Sequence, residues 1–273
     1  ALSTIGTNQI ASEAVTVPKV TDQVLSSRNF IINGDMQCWQ RATAATAANN
    51  SYSTVDRWAF GEGTDGAYTS ERSTDTPTGT GFSIKAQVTT ADTSLAAGQY
   101  AYIWQSIEAQ NLQSLLYGTA SAKTLTLSFW VKSSKTGTYS IVIRKNDSTL
   151  YAFTHDYSIS SANTWEKKTI TITPTAGSTS FITASAGAIA NDNGLGFEVI
   201  FALGQGSTYA IGTSNTWSSN SNTYASSNQV NWMDSTSNNF YLSQVQLEIG
   251  DAATPFEHEN YGTTLAKCQR YFH

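Results

Sequence analysis

The chain is short of charge. Lys, Arg, Asp and Glu make up 13 % of its 273 residues, about half the share usual in soluble domains. Its Lys and Arg do not cluster, and the net charge is −5. Neutralising a phosphate backbone takes a row of cations, so nucleic acid is excluded as a natural partner. Cysteine is nearly absent. Cys38 and Cys268 stand at opposite ends, which is no disulfide framework. Buried free thiols and a single bridge both remain open. Three scattered histidines, His155, His258 and His273, lack the spacing of a metal site. No apolar run approaches the ~20 residues of a membrane span, so membrane insertion is not expected. No basic and apolar leader opens the chain, which points to assembly in the cytoplasm.

What is abundant is small and polar. Ser numbers 34 and Thr 38, while aromatics reach 11 % with seven Trp. That aromatic content excludes disorder for most of the chain, and the length is ample to bury a core.

Three regions differ in pattern. Residues 1–28 place Ile5, Ile10, Val15, Val20 and Leu25 five apart, a spacing that fits neither helix nor strand. A disordered leader would read as Ser/Thr-rich and aromatic-free in the same way. The persistence of the spacing favours an extended arm whose apolar rungs are covered by other copies or by a host assembly, for anchoring and oligomerisation. Residues 29–257 read as all-β. Phe82, Ile84, Ala86 and Val88 alternate, as do Leu125, Leu127, Phe129 and Val131. Tyr139–Ile143, Trp165–Ile172, Leu195–Leu203 and Phe240–Ile249 continue the series, the last with a change of phase near Ser243 that predicts a bulge. Many half-polar strands without intervening amphipathic helices predict a two-sheet antiparallel sandwich. Glu108–Leu116 is a short helical candidate for a crossover. Residues 258–273 form the third region, in which Tyr261, Leu265, Cys268 and Phe272 share one face of a C-terminal helix.

Catalysis is not expected, because no facing carboxylate pair, nucleophile elbow or phosphate-cradling loop stands out. Binding has a better candidate. Trp217, Tyr224 and Trp232 lie among Ser, Thr and Asn in 213–239, and rings with short polar neighbours suit a sugar. The same residues would also suit the closing of a sandwich end. Trp130 and Trp165 are expected in the core, Trp39 and Trp58 at the sandwich edge, and Asp56-Arg57 as a surface ion pair.

The opening Asn29-Phe30-Ile31-Ile32-Asn33-Gly34-Asp35-Met36-Gln37-Cys38-Trp39-Gln40-Arg41 is followed by Val55-Asp56-Arg57-Trp58, Ser128-Phe129-Trp130-Val131-Lys132 and Asn163-Thr164-Trp165-Glu166-Lys167-Lys168. Phe240-Tyr241-Leu242-Ser243-Gln244-Val245-Gln246-Leu247-Glu248-Ile249-Gly250, Thr254-Pro255-Phe256-Glu257-His258 and Cys268-Gln269-Arg270-Tyr271 close the series. In this order, over about residues 28–272, the blocks resemble the jelly-roll domain of phage tail-fibre and virion-appendage proteins. The arm is similar to the spaced Ile/Val repeats that precede such domains. The resemblance implies a bacteriophage virion structural protein, a homotrimeric fibre or decoration on tail or capsid. It would be held to other virion proteins by its arm and would attach to host-surface glycans.

More distantly, the outline resembles galactose-binding-type carbohydrate-binding modules. That implies the alternative of an ancillary carbohydrate-binding module in a secreted polysaccharide-degrading system. The arm separates the two, since a free module needs no five-spaced leader. Some such modules hold a structural calcium between the opening strand and closing acids. Asp35 matches the first part. Gln37 stands where an acid is usual, however, and Ser243 and Gln244 stand where the closing acids would be. Calcium prefers carboxylates, so no metal and no cofactor is expected.

Overall fold

The computed structural model describes residues 28–271 except 78 and 80. The arm rungs Ile5, Ile10, Val15, Val20 and Leu25 therefore lie outside the described residues, as does Phe272. The described chain forms the expected all-β, two-sheet antiparallel jelly-roll sandwich with one short C-terminal helix. The strands are β1 (Ala44–Thr46), β2 (Trp58–Glu62), β3 (Ala67–Ser73), β4 (Ser83–Thr90), β5 (Tyr100–Glu108), β6 (Leu125–Ser133) and β7 (Gly137–Lys145). They continue with β8 (Tyr151–Ile159), β9 (Glu166–Ile172), β10 (Leu195–Gln205), β11 (Ala210–Gly212), β12 (Thr216–Ser218), β13 (Ala225–Ser226) and β14 (Asn239–Ile249). The first sheet runs β1-β3-β4-β14-β6-β9 and the second β12-β8-β7-β10-β5-β2. The short β11 and β13 pair in parallel apart from both sheets.

Alternation does what a pleated strand requires, sending every second side chain inward. Ile84, Ala86 and Val88 of β4 and Leu125, Leu127, Phe129 and Val131 of β6 are buried. They meet Tyr139, Ile141 and Ile143 of β7 and Phe197, Val199 and Phe201 of β10. Phe129 packs edge-on against Phe201, with centroids 5.0 Å apart. In β14 the register skips between Ser243 and Gln246, and Gln244 has φ 49°. The predicted bulge is there, and it keeps Phe240, Leu242, Val245 and Leu247 all inward. The opening segment docks onto it. Val245 N donates to Gly34 O (2.9 Å), and a Cβ on Gly34 would stand 2.1 Å from Val245 O. Arg28, placed in the arm by sequence, belongs here too, donating to Pro255 O at 2.7 Å.

Several placements differ from expectation. Trp130 lies on β6 but faces outward and is half-buried. Its neighbours Phe129 and Val131 point in, so strand parity leaves it no choice. Trp165 precedes β9 and is half-buried on the same outer face. Trp58, expected at an edge, is fully buried, and its Nε1 donates to Asn33 O at 3.2 Å. Asp56 pairs with Arg41 at 3.5 Å, not with its neighbour. Arg57 instead donates to Ser106 O at 2.6 Å and lies 3.6 Å from the Tyr271 ring centroid. The crossover candidate is a 3-10 helix over Ala109–Leu115 that buries Leu112 and Leu115. The terminal helix, α1 (Tyr261–Gln269), starts on an Asn260 side-chain cap and buries Thr264 and Cys268. Tyr261 points away and is 55 % exposed. Cys38 and Cys268 are buried free thiols, and the neighbouring Cys38, with burial, pushes the Cys268 thiol up.

Candidate functional site

β5 alternates Ala and Ile against large aromatics. Ala101, Ile103 and Ile107 are buried toward the core, so Tyr100, Tyr102 and Trp104 share the outer face of the second sheet. Tyr102 is buried on that face with Val142, Ala152 and Ile200, and Tyr100, Trp104 and Tyr224 pack onto this second cluster. The adjacent strand β2 makes room. Gly61 pairs with Tyr102, and a Cβ on Gly61 would come within 2.4 Å of that ring. A Cβ on Gly63 would come within 2.9 Å of the Tyr100 ring. Two glycines thus let two rings lie against the sheet.

The segment after β10 brings the remaining rings. Gly206 N donates to Gln99 O and Thr208 N to Ala97 O, at 2.8 and 2.9 Å. This approach tolerates no side chain, since a Cβ on Gly206 would stand 1.9 Å from Ala96 O. Tyr224 N then donates to Tyr209 O at 3.0 Å, placing the two rings edge to face 5.4 Å apart. Tyr102 stacks with Tyr100 at 5.3 Å and with Tyr224 at 5.6 Å, and Tyr209 meets Tyr100 edge-on at 5.7 Å. Four rings therefore close a circuit around a recess of ≈ 160 Å³, with Asn50 at its lip. Tyr100 Oη donates to Asn49 Oδ1 (2.8 Å) and Tyr102 Oη to Asn50 Oδ1 (2.9 Å).

Behind Tyr224 lies a buried ion pair. Arg144 Nη1 donates to Glu198 Oε2 at 2.8 Å and to Tyr224 Oη at 2.7 Å, with its guanidinium 4.4 Å from the Tyr224 centroid. Burial raises the Glu198 carboxyl, opposed by Arg144 and Asn146. Burial also raises Tyr100, Tyr102 and Tyr224, opposed at Tyr224 by the Arg144 charge, so these three phenols are neutral at physiological pH.

The residues proposed from sequence divide. Tyr224 is in this recess. Trp217 and Trp232 are not, being 1 % and 0 % exposed. Trp217 packs on Phe153 and Tyr117 and donates Nε1 to Thr173 O (2.9 Å), while Trp232 stands edge-on to Tyr68. Neither presents a face to a ligand. Tyr100, Tyr102 and Tyr209 were missed, although an all-aromatic face on β5 beside Gly61 and Gly63 was there to be read. At the positions considered for calcium, Ser243 donates to Phe82 O (3.0 Å) and burial raises the Asp35 carboxyl. Two larger recesses, ≈ 370 and ≈ 450 Å³, flank α1. They are the seams where Arg57, Tyr271 and Arg270 dock the helix, with Arg270 donating to Glu108 at 3.0 Å.

No protein-family model matches the chain, and no curated protein matches it in sequence. Solved structures of similar outline include a candidate sugar-binding protein from Bacteroides thetaiotaomicron (14 % identity, TM-score 0.46), covering 81 % of this chain and 100 % of that one. A second is the enzymatically active domain of bacteriophage CBA120 tailspike protein 4 (13 %, TM-score 0.39; 82 % of this chain, 22 % of that one). A third is the family 11 carbohydrate-binding module of Clostridium thermocellum with a β-1,3-1,4-mixed-linked tetrasaccharide (15 %, TM-score 0.37; 78 % and 99 %). At these identities and TM-scores the functional reading stands on this chain's own residues.

Proposed function

We propose that the chain is a glycan-binding jelly roll of a bacteriophage virion appendage, and that the tyrosine recess is its binding site. The observation that carries the binding is the closed circuit of Tyr100, Tyr102, Tyr224 and Tyr209 on the outer face of the second sheet. Ring faces give apolar contact to sugar C–H groups, while phenol oxygens and Asn50 take up hydroxyls. The lining holds no carboxylate, imidazole or thiol, which suits a binder and not an enzyme. The virion setting is supported by the ordered sequence blocks and the five-spaced arm, through which the protein would trimerise and meet capsid or tail. Weak single sites then act together over three copies and over the particle.

The test is binding of the full chain to a glycan array and to host cells. Tyr100→Ala and Tyr209→Ala should abolish binding with little change in melting temperature. Wild-type binding retained by both variants overturns the site. A monomer in sedimentation at micromolar concentration overturns the trimer.

A further inference from the structure

The recess has a chemical bias that a plain sugar platform lacks. We propose that it receives an ammonium group carried on the bound glycan, and that it discriminates against carboxylated sugars. This rests on the glycan-binding reading and names the class of glycan.

The circuit has sides of 5.3, 5.6, 5.4 and 5.7 Å. A group seated ~4 Å above its centre lies within about 6 Å of all four centroids, the range over which a ring face attracts a cation. Four phenol rings and one amide line the space, with no Lys, Arg or His among them. A carboxylate there would meet aromatic rings and no lining cation. The charges packed behind the rings do not reverse this. Arg144 is neutralised by Glu198 at 2.8 Å, and the charge of Glu62 bears on Tyr100.

The rim agrees. Tyr100 and Tyr102 have spent their hydroxyl protons on Asn49 and Asn50, so both oxygens offer only lone pairs to a ligand. At these two oxygens an N–H donor is received and an acceptor is not. At ≈ 160 Å³ the space is well below the roughly 300 Å³ at which ordinary ligand pockets begin. It suits one terminal ring or substituent, not a run of polymer. The shared chemistry is a positive nitrogen, supplied by a free amino sugar or by a choline-type substituent.

The experiment titrates the full chain, at matched ionic strength, with tetramethylammonium chloride, choline chloride, glucosamine, N-acetylglucosamine and glucuronate, followed by NMR shifts and calorimetry. Glucosamine or choline should bind about 10-fold more tightly than N-acetylglucosamine, and glucuronate should be weakest. Choline and tetramethylammonium binding without glucosamine identifies the quaternary source, and the reverse identifies the amine. Tyr209→Phe keeps the ring and should stay within about 2-fold of wild type, whereas Tyr209→Leu should lose about 10-fold. Tyr100→Phe and Tyr100→Leu repeat the contrast should Tyr209→Leu fail to fold. Equal affinity for glucosamine and N-acetylglucosamine, with no saturable response to either quaternary salt, overturns the ammonium site and leaves glycan binding standing. No response to any sugar or to either quaternary salt overturns both.

Discussion

The outer faces of the two sheets carry similar residue types and use them in opposite ways. On the first sheet Trp165 donates Nε1 to Asp75 at 2.9 Å, Lys132 pairs with the same carboxylate, and the Lys132 ammonium lies 4.2 Å from the Tyr241 centroid. Trp165, Lys132 and Asp75 already have their partners, and the rings serve as a latch between neighbouring strands and loops. On the second sheet the rings of β5 are met by Tyr209 and Tyr224 from a separate segment, and a recess is left between them. Aromatics on a sheet become a site when another stretch of chain closes round them without filling the space. Otherwise they become packing.

The ion pairs of the two faces should differ most in energy. Arg144 and Glu198 have side chains 10 % and 7 % exposed, against 8 % and 48 % for Lys132 and Asp75. Arg144→Met strands a buried carboxylate and also takes the donor from Tyr224 Oη. It should cost on the order of 3–5 kcal/mol in urea unfolding. Lys132→Met leaves Asp75 free to turn to water and should cost under about 1 kcal/mol. Similar losses from the two variants would mean that the faces are not energetically distinct.

A smaller effect isolates the room made for the rings. Gly61→Ala places a methyl within 2.4 Å of the Tyr102 ring, and Gly61 has no left-handed φ to confuse the result. Overpacking of this kind should cost about 1–3 kcal/mol and displace Tyr102, so ligand binding should fall with it. On the first sheet Lys85→Ala removes only a half-buried partner of Glu71 and should stay within about 0.5 kcal/mol. If Gly61→Ala binds as wild type, the seating of Tyr102 against β2 is not what shapes the recess.

Strand parity and the bulge of β14 were legible because alternation is a property of neighbours in sequence. Phe240 and Leu242 on one phase and Val245 and Leu247 on the next name both the strand and its break. The same rule, carried one step further, would have turned Trp130 outward, since Phe129 and Val131 point in. The recess was legible by half. Tyr100 and Tyr102 are two apart on one strand, but Tyr209 and Tyr224 reach them through β-pairing and turns between residues 206 and 225. No local pattern encodes that meeting. Trp217 and Trp232 misled because a Ser- and Asn-rich setting resembles a surface loop, while long-range contacts to Phe153 and Tyr68 bury both rings. The arm's spacing is a pattern of the same local kind, and its rungs lie outside the described residues.

Acid should separate the two faces by sign, with the smallest amplitude of the three contrasts. Burial raises the Glu198 carboxyl above its ordinary 4.5. Between 4.5 and that higher folded value the native state holds a proton that the unfolded chain has lost. Its contribution to stability therefore grows as pH falls through the folded value and levels off below 4.5. Asp75 behaves in reverse. Burial would raise its carboxyl, but hydrogen bonds from Lys132 and Trp165, with the Lys132 charge, hold it below 3.8. Its contribution is complete above 3.8 and is lost as pH falls through the lower folded value. Exposure to solvent keeps that contribution small. Denaturant midpoints measured from pH 7 to pH 2.5 should show Glu198→Gln removing the gain on the way down to 4.5. Asp75→Asn should remove part of the loss below it. A wild-type profile in either variant would mean that the carboxylate of that face does not feel the environment its neighbours create.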